Sequence, residues 1–177
     1  MAGLLDRERI IAPPGYNRWL VPPAALAIHL CIGMAYGFSV FWLPLSRAIG
    51  ITAPQACPAD AGFFQQLVTV TCDWKISMLS IMYSLFFFFL GSSAAVFGGW
   101  LERVGPRRAG VAAAFCWGGG FFLSALGIRT HQLWLMWLGS GVIGGCGLGL
   151  GYISPVSTLI KWFPDRRGMA TGMAIMG

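Results

Sequence analysis

Charge is what this sequence has least of. Only 10% of its 177 residues are Asp, Glu, Lys or Arg, against about a quarter in an ordinary soluble domain. The whole chain holds six carboxylates and two histidines. Six scattered carboxylates offer no acid–base pair within an apolar segment, which argues against an enzyme. The histidines and cysteines do not fall at zinc-site spacing and no H-E-x-x-H run occurs, so no metal and no cofactor is expected. The run "GSGVIGGCGLGLG" contains a G-x-G-x-x-G spacing, but no strand precedes it and no βαβ unit can form around it.

Apolar residues are abundant. They make up 56% of the chain, and mean hydropathy is +0.70. Four runs, at about 19–45, 76–101, 109–128 and 133–160, have the roughly 20 residues a helix needs to cross a bilayer core. A fifth opens at Gly168 and runs to residue 177. Runs this long and uniformly apolar are not barrel strands, so the sequence predicts an all-α membrane protein. The net charge of +6 follows topology and does not suggest nucleic acid. Arg7, Arg9, Arg18, Arg103, Arg107, Arg108, Lys161, Arg166 and Arg167 fall on one side, and Arg47, Lys75 and Arg129 on the other. That asymmetry predicts a cytoplasmic N-terminus, with some attraction to anionic headgroups of the lipid bilayer. "MAGLLDRERIIAPPGYNRW" mixes both signs of charge with a Pro pair and is not a cleaved signal; residues 1–18 read as a cytoplasmic arm.

Between the first two runs lies an outside loop of about 30 residues, long for a helix–helix connection. It carries Cys57 and Cys72, and an oxidising outer compartment would allow a disulfide between them. Cys31, Cys116 and Cys146 read as small thiols buried in helices. In the fourth run Gly141, Gly145 and Gly149 fall four apart, as do Gly147 and Gly151, a small-xxx-small pattern for close helix packing. Pro155 beyond it predicts a kink.

Two charged loops carry a resemblance. In "GGWLERVGPRR", Gly98, Glu102, Arg103, Gly105, Arg107 and Arg108 resemble the G-x-x-x-D-R-x-G-R-R motif of the major facilitator superfamily. Gly98 would allow close helix contact, Gly105 a tight turn, and the carboxylate would pair with arginine or a helix N-terminus. Glu102 replaces the usual aspartate and Pro106 an arginine. "KWFPDRRGMATG", with Asp165, Arg166 and Arg167, is similar to the loop between helices 4 and 5 in the oxalate/formate antiporter-like branch. Asp165 suits the start of a helix, and Trp162 and Phe163 suit the interfacial aromatic belt.

The resemblance implies a partial N-terminal bundle of the major facilitator fold over 19–177: four complete transmembrane helices, the start of a fifth, and a missing C-terminal half. It implies alternating access around a midplane site, a latch formed by the charged loops, and antiport or symport of a small carboxylate (oxalate, formate, lactate or pyruvate) across the plasma membrane, the inner membrane if the source is bacterial. It places Tyr36, in "GMAYGFSVFW", and Tyr152 along the substrate cavity as phenol donors to a carboxylate. Ala35 stands where oxalate carriers have glutamine, which points away from oxalate itself. The family's substrate-binding cations lie in the second half. His29, seven residues before Tyr36, should share its helix face. As an ionisable side chain within a span it is a candidate for substrate contact or a coupled proton, unless it is a neutral ring bonded to a neighbouring helix. The alternative is a small claudin-like four-helix structural protein with a bridged outer loop.

Overall fold

The computed structural model describes residues 5–6, 10–50, 53–58 and 61–176. Arg7, Arg9 and Gly177 lie outside them. Among the described residues every regular element is helical: α1 (Val21–Gly33), α2 (Trp42–Ser46), α3 (Phe63–Val68), α4 (Ile76–Val104), α5 (Pro106–Arg129), α6 (Leu133–Met136), α7 (Gly145–Trp162) and α8 (Arg167–Ile175). A π-helical stretch, Trp137–Gly144, joins α6 to α7. Four continuous spans, Arg18–Ser46, Ile76–Val104, Pro106–Arg129 and Leu133–Trp162, are long and apolar enough to cross a membrane.

The first span departs from the single helix expected over 19–45. α1 begins on Pro22 and Pro23, whose fixed φ suits a first turn, and ends at Gly33. From there the chain tightens into i→i+3 bonds, Tyr36 N–H to Gly33 C=O (3.0 Å) and Gly37 N–H to Met34 C=O (3.2 Å). It then runs through a 3-10 turn, Phe38–Phe41, into α2. Glycine at 33 and 37 removes the side chains that would hold a regular helix there. At the other end of the chain, α7 continues through Pro155.

α7 is the centre of the bundle, and its glycine ridge explains how. A Cβ on Gly145 would stand 2.7 Å from the Phe86 carbonyl of α4, and one on Gly149 would stand 2.5 Å from that of Leu90. The absent side chains let the two backbones touch, and Ser93 Oγ donates across the seam to the Cys146 carbonyl at 3.4 Å. Gly147 packs the opposite face of α7 on Cys116 and Trp117 of α5. Three apolar clusters follow the bundle: Leu45, Trp74, Leu79 and Met136 at the outer-loop end, Ile32, Ala35, Phe86 and Leu148 in the middle, and Ala25, Leu159, Phe163 and Ala170 at the arm end. Cys31, expected to be buried, is exposed on α1.

The described residues of the loop over 47–75 are tied down at one point. Cys57 and Cys72 are joined by a disulfide. Next to it the buried Asp73 carboxylate accepts the backbone N–H groups of Gln55 (2.8 Å), Gly50 (2.9 Å) and Ile49 (3.0 Å). The Gly50 hydrogen bond leads these in holding the carboxyl below its usual range, with Gln55, Ile49 and the nearby His131 acting the same way against the effect of burial. His131, in the α5–α6 turn, stacks on Trp74 with centroids 4.4 Å apart. Its Nε2 donates to the Cys72 carbonyl at 2.9 Å.

Candidate functional site

His29 is buried on α1, with 4% of its surface exposed. Its Nδ1 lies 3.1 Å from the Ala25 carbonyl of its own helix, and its buried Nε2 has no hydrogen-bond partner among the described residues. The bond to a neighbouring helix is therefore not made; the i−4 carbonyl on the same helix takes its place. A carbonyl only accepts, so Nδ1 carries a hydrogen; in the neutral tautomer this leaves a lone pair at Nε2. The ring edge meets Tyr152 of α7 at a centroid distance of 5.2 Å.

Tyr36 does not join this pair. It is 57% exposed and packs on Phe87 at 6.3 Å. The shared face with His29 rests on regular helical periodicity between them, and the tight turns after Gly33 break that periodicity. The sequence reading passed over Tyr83 of α4, whose hydroxyl donates to the Ala35 carbonyl at 3.3 Å. Its ring touches Phe87 at 4.8 Å and Trp42 at 5.9 Å. A cavity of about 30 Å³ lies beside it, bounded by Ala35, Phe38, Trp117, Phe121, Ser140 and Gly144. The two stretches of span backbone that leave α-geometry, after Gly33 and over Trp137–Gly144, both border this space. A tyrosine inside the second apolar run was the available signal.

At the arm end, the two charged motifs meet. Glu102, on the last turn of α4, accepts from Ser157 Oγ at 2.8 Å and pairs with Lys161, both on α7. The carboxylate was expected to pair with arginine or cap a helix N-terminus; Ser157 and Lys161, four apart on α7, present one face to Glu102. Gly105 turns the chain with φ +87° between α4 and α5, as its role required. Gly98 was expected to admit a close helix contact, but a Cβ there would meet no described atom within 4 Å. The ridge on α7 supplies the close approach instead. Asp165 sits in a 3-10 turn before α8, and both its oxygens accept from Arg18, at 3.0 and 3.1 Å. The Arg18 hydrogen bond is the main reason that its carboxyl lies below the usual range. Arg108 pairs with Asp6, and Arg166 lies 3.9 Å from Asp165. Arg103, Arg107 and Arg167 are exposed. Phe163, expected at the interface, is fully buried, beneath Trp19 and the Arg18 guanidinium.

The sequence profile of the Major Facilitator Superfamily matches residues 25–177. Among curated relatives, the MFS-type transporter YhjX of Escherichia coli (strain K12) is 28% identical over 93% of this chain and 35% of its own length. Monocarboxylate transporter 11 of Homo sapiens is 30% identical over 93% of this chain and 30% of its own. Apicoplast pyruvate carrier 1 of Toxoplasma gondii is 26% identical over 85% and 30%. The chain thus spans about a third of the length of these relatives. No solved structure matches it. A four-helix structural protein would not produce this match. Matched over most of its length and built of apolar helices, the chain belongs to the Major Facilitator Superfamily, whose members are multi-pass membrane transporters and not enzymes.

Proposed function

We propose that the chain belongs to an alternating-access carrier of small organic anions, mono- or dicarboxylates such as oxalate, formate, lactate or pyruvate, in the oxalate/formate antiporter-like branch. In this reading the arm faces the cytoplasm and the carrier sits in the plasma membrane, or the inner membrane of a bacterium. Two relatives named for pyruvate and monocarboxylate transport support the substrate class.

The observation that carries the reading is the uncommitted Nε2 of buried His29 beside Tyr152. His29 is the one imidazole within the described spans, a group able to carry a proton. Neutral, it offers only a lone pair at Nε2. A proton there makes Nε2 a donor and gives the site a positive charge for a carboxylate, so proton and anion would enter together. Tyr152, Tyr36 and Tyr83 supply the aromatic wall, and the remaining cations come from the second half.

Uptake of labelled oxalate, formate, lactate and pyruvate into vesicles containing the carrier tests this. Saturable uptake of at least one anion is expected, rising as the external medium is acidified. His29→Gln should lower acid-stimulated uptake by on the order of tenfold or more, the worth of one hydrogen bond to a charged group, and flatten its pH profile. Transport of neutral sugars alone would end the anion reading. Anion uptake whose pH profile survives His29→Gln would remove the proton role only.

A further inference from the structure

The described residues of the N-terminal arm, Leu5, Asp6 and 10–18, are docked, and nothing in the transport reading uses them. Its path starts on the α4–α5 turn, where Asp6 pairs with Arg108 and Ile10 lies over Gly105, its Cδ1 2.8 Å from where a Cβ on that glycine would stand. Pro13, Pro14 and Gly15 (φ +83°) then fold the arm back, with Tyr16 N–H donating to the Pro13 carbonyl at 3.2 Å. It ends on the α7–α8 turn. There the Tyr16 ring meets Trp162 at 5.5 Å, Trp19 meets Phe163 at 5.2 Å, and Arg18 forks onto Asp165 while lying 4.9 Å above the Phe163 ring. Beneath Ile10 and Ile11 the arm roofs a cleft of about 210 Å³ whose floor includes Glu102, Ser157, Thr158 and Lys161.

We propose that residues 10–20 form a detachable strap, an intramolecular ligand of the surface made by the α4–α5 and α7–α8 turns, which roofs one side of the cleft beside the half-exposed Glu102–Lys161 pair and is released when its Arg18 anchor is lost. The occupant of that surface is this chain's own arm. Its acidic, apolar, aromatic and basic residues meet, in order, an arginine, a bare glycine, two aromatic rings and an aspartate. The Pro-Pro-Gly turn preorders the arm, which lowers the entropy lost on docking. Detachment is cheap because the Arg18–Asp165 and Asp6–Arg108 pairs are exposed, with side chains 37–48% accessible, and such pairs are weak and screened by salt. Strapped, the two turns are tied together and the cleft is roofed on one side; unstrapped, that side too opens to solvent.

The test uses the purified chain in detergent, with cysteine placed at Ser157 under the strap or at Gly168, an exposed site with open space around its Cβ. Maleimide labelling is followed after subtracting the signal of the parent chain. The Ser157→Cys to Gly168→Cys rate ratio should rise at least threefold with Arg18→Ala, and likewise with 0.5 M salt. The Arg18→Asp/Asp165→Arg exchange should recover at least half of the rise. Because Gly168→Cys reports general loosening of the face, the ratio stays informative for a partly destabilised variant. A ratio unchanged by both Arg18→Ala and Tyr16→Ala would overturn the strap.

Discussion

Gly149→Leu should yield little folded protein. A single added carbon at this position would already stand 2.5 Å from the Leu90 carbonyl and closer still to Ser93 Oγ. Ser93 cannot swing away without loss, because its hydroxyl donates to Leu90 and Cys146 carbonyls in the seam. α4 and α7 must therefore separate along the 141–145–149 ridge. Overpacking of a close-packed interior costs about 1–3 kcal/mol for smaller insertions, and four carbons set against backbone should lie at or beyond the upper end. The gain in helix propensity, about 0.8 kcal/mol for removing a glycine, does not offset it. Gly99→Leu is the control, since its Cβ meets no described atom within 4 Å. Thermal melts in detergent should show a large fall in Tm for Gly149→Leu and almost none for Gly99→Leu. Equal melting of the two would mean that the ridge does not hold these helices together.

Asp73→Ala should have the next largest effect, confined to the outer loop. The substitution leaves the N–H groups of Ile49, Gly50 and Gln55 without their acceptor. Hydrogen bonds to a charged group contribute roughly 1.5–3 kcal/mol each; with water replacing part of the loss, about 3–5 kcal/mol of local loop stability should go. Because the folded-state pKa of Asp73 is depressed, its contribution is complete above the ordinary carboxyl pKa, near 3.8, and is lost as pH falls through the lower folded value. Protease cleavage within 47–75 should therefore be slow in wild type at neutral pH and accelerate only in strong acid. The alanine variant should be cleaved quickly at every pH. Wild-type protection already lost at neutral pH would mean that Asp73 does not hold the loop.

What the sequence made legible was carried by length, spacing and composition. The spans declared themselves through apolar runs too long for anything but helices, and the glycine ridge through its four-residue period. The Gly105 turn and both charged loops could be read because their residues are neighbours in the chain. What escaped depends on contacts between distant positions or on departures from regular geometry. Arg18 and Asp165 are 147 residues apart, and neither signals the other. The pairing of Glu102 with Lys161 joins two motifs far apart in the chain. The His29–Tyr36 face failed because seven residues count as two turns only while the helix stays regular. The glycines at 33 and 37, part of the segment aligned with the cavity, were the warning.

The π-helical stretch has a consequence for how this protein tolerates changes of length. Each residue removed from an α-helix rotates everything beyond it by about 100° and draws it back by about 1.5 Å. A one-residue deletion within α7 would thus swing the glycine ridge off α4 and carry Tyr152 away from His29. Trp137–Gly144 already holds a surplus, since a π turn accommodates more residues than an α turn does. Losing one residue there would relax the stretch toward α-geometry while α6 and α7 keep their seats. The fourth span carries its own slack, and only the contacts of the stretch itself, Gly139 on α5 and Gly141 on α4, would have to be remade.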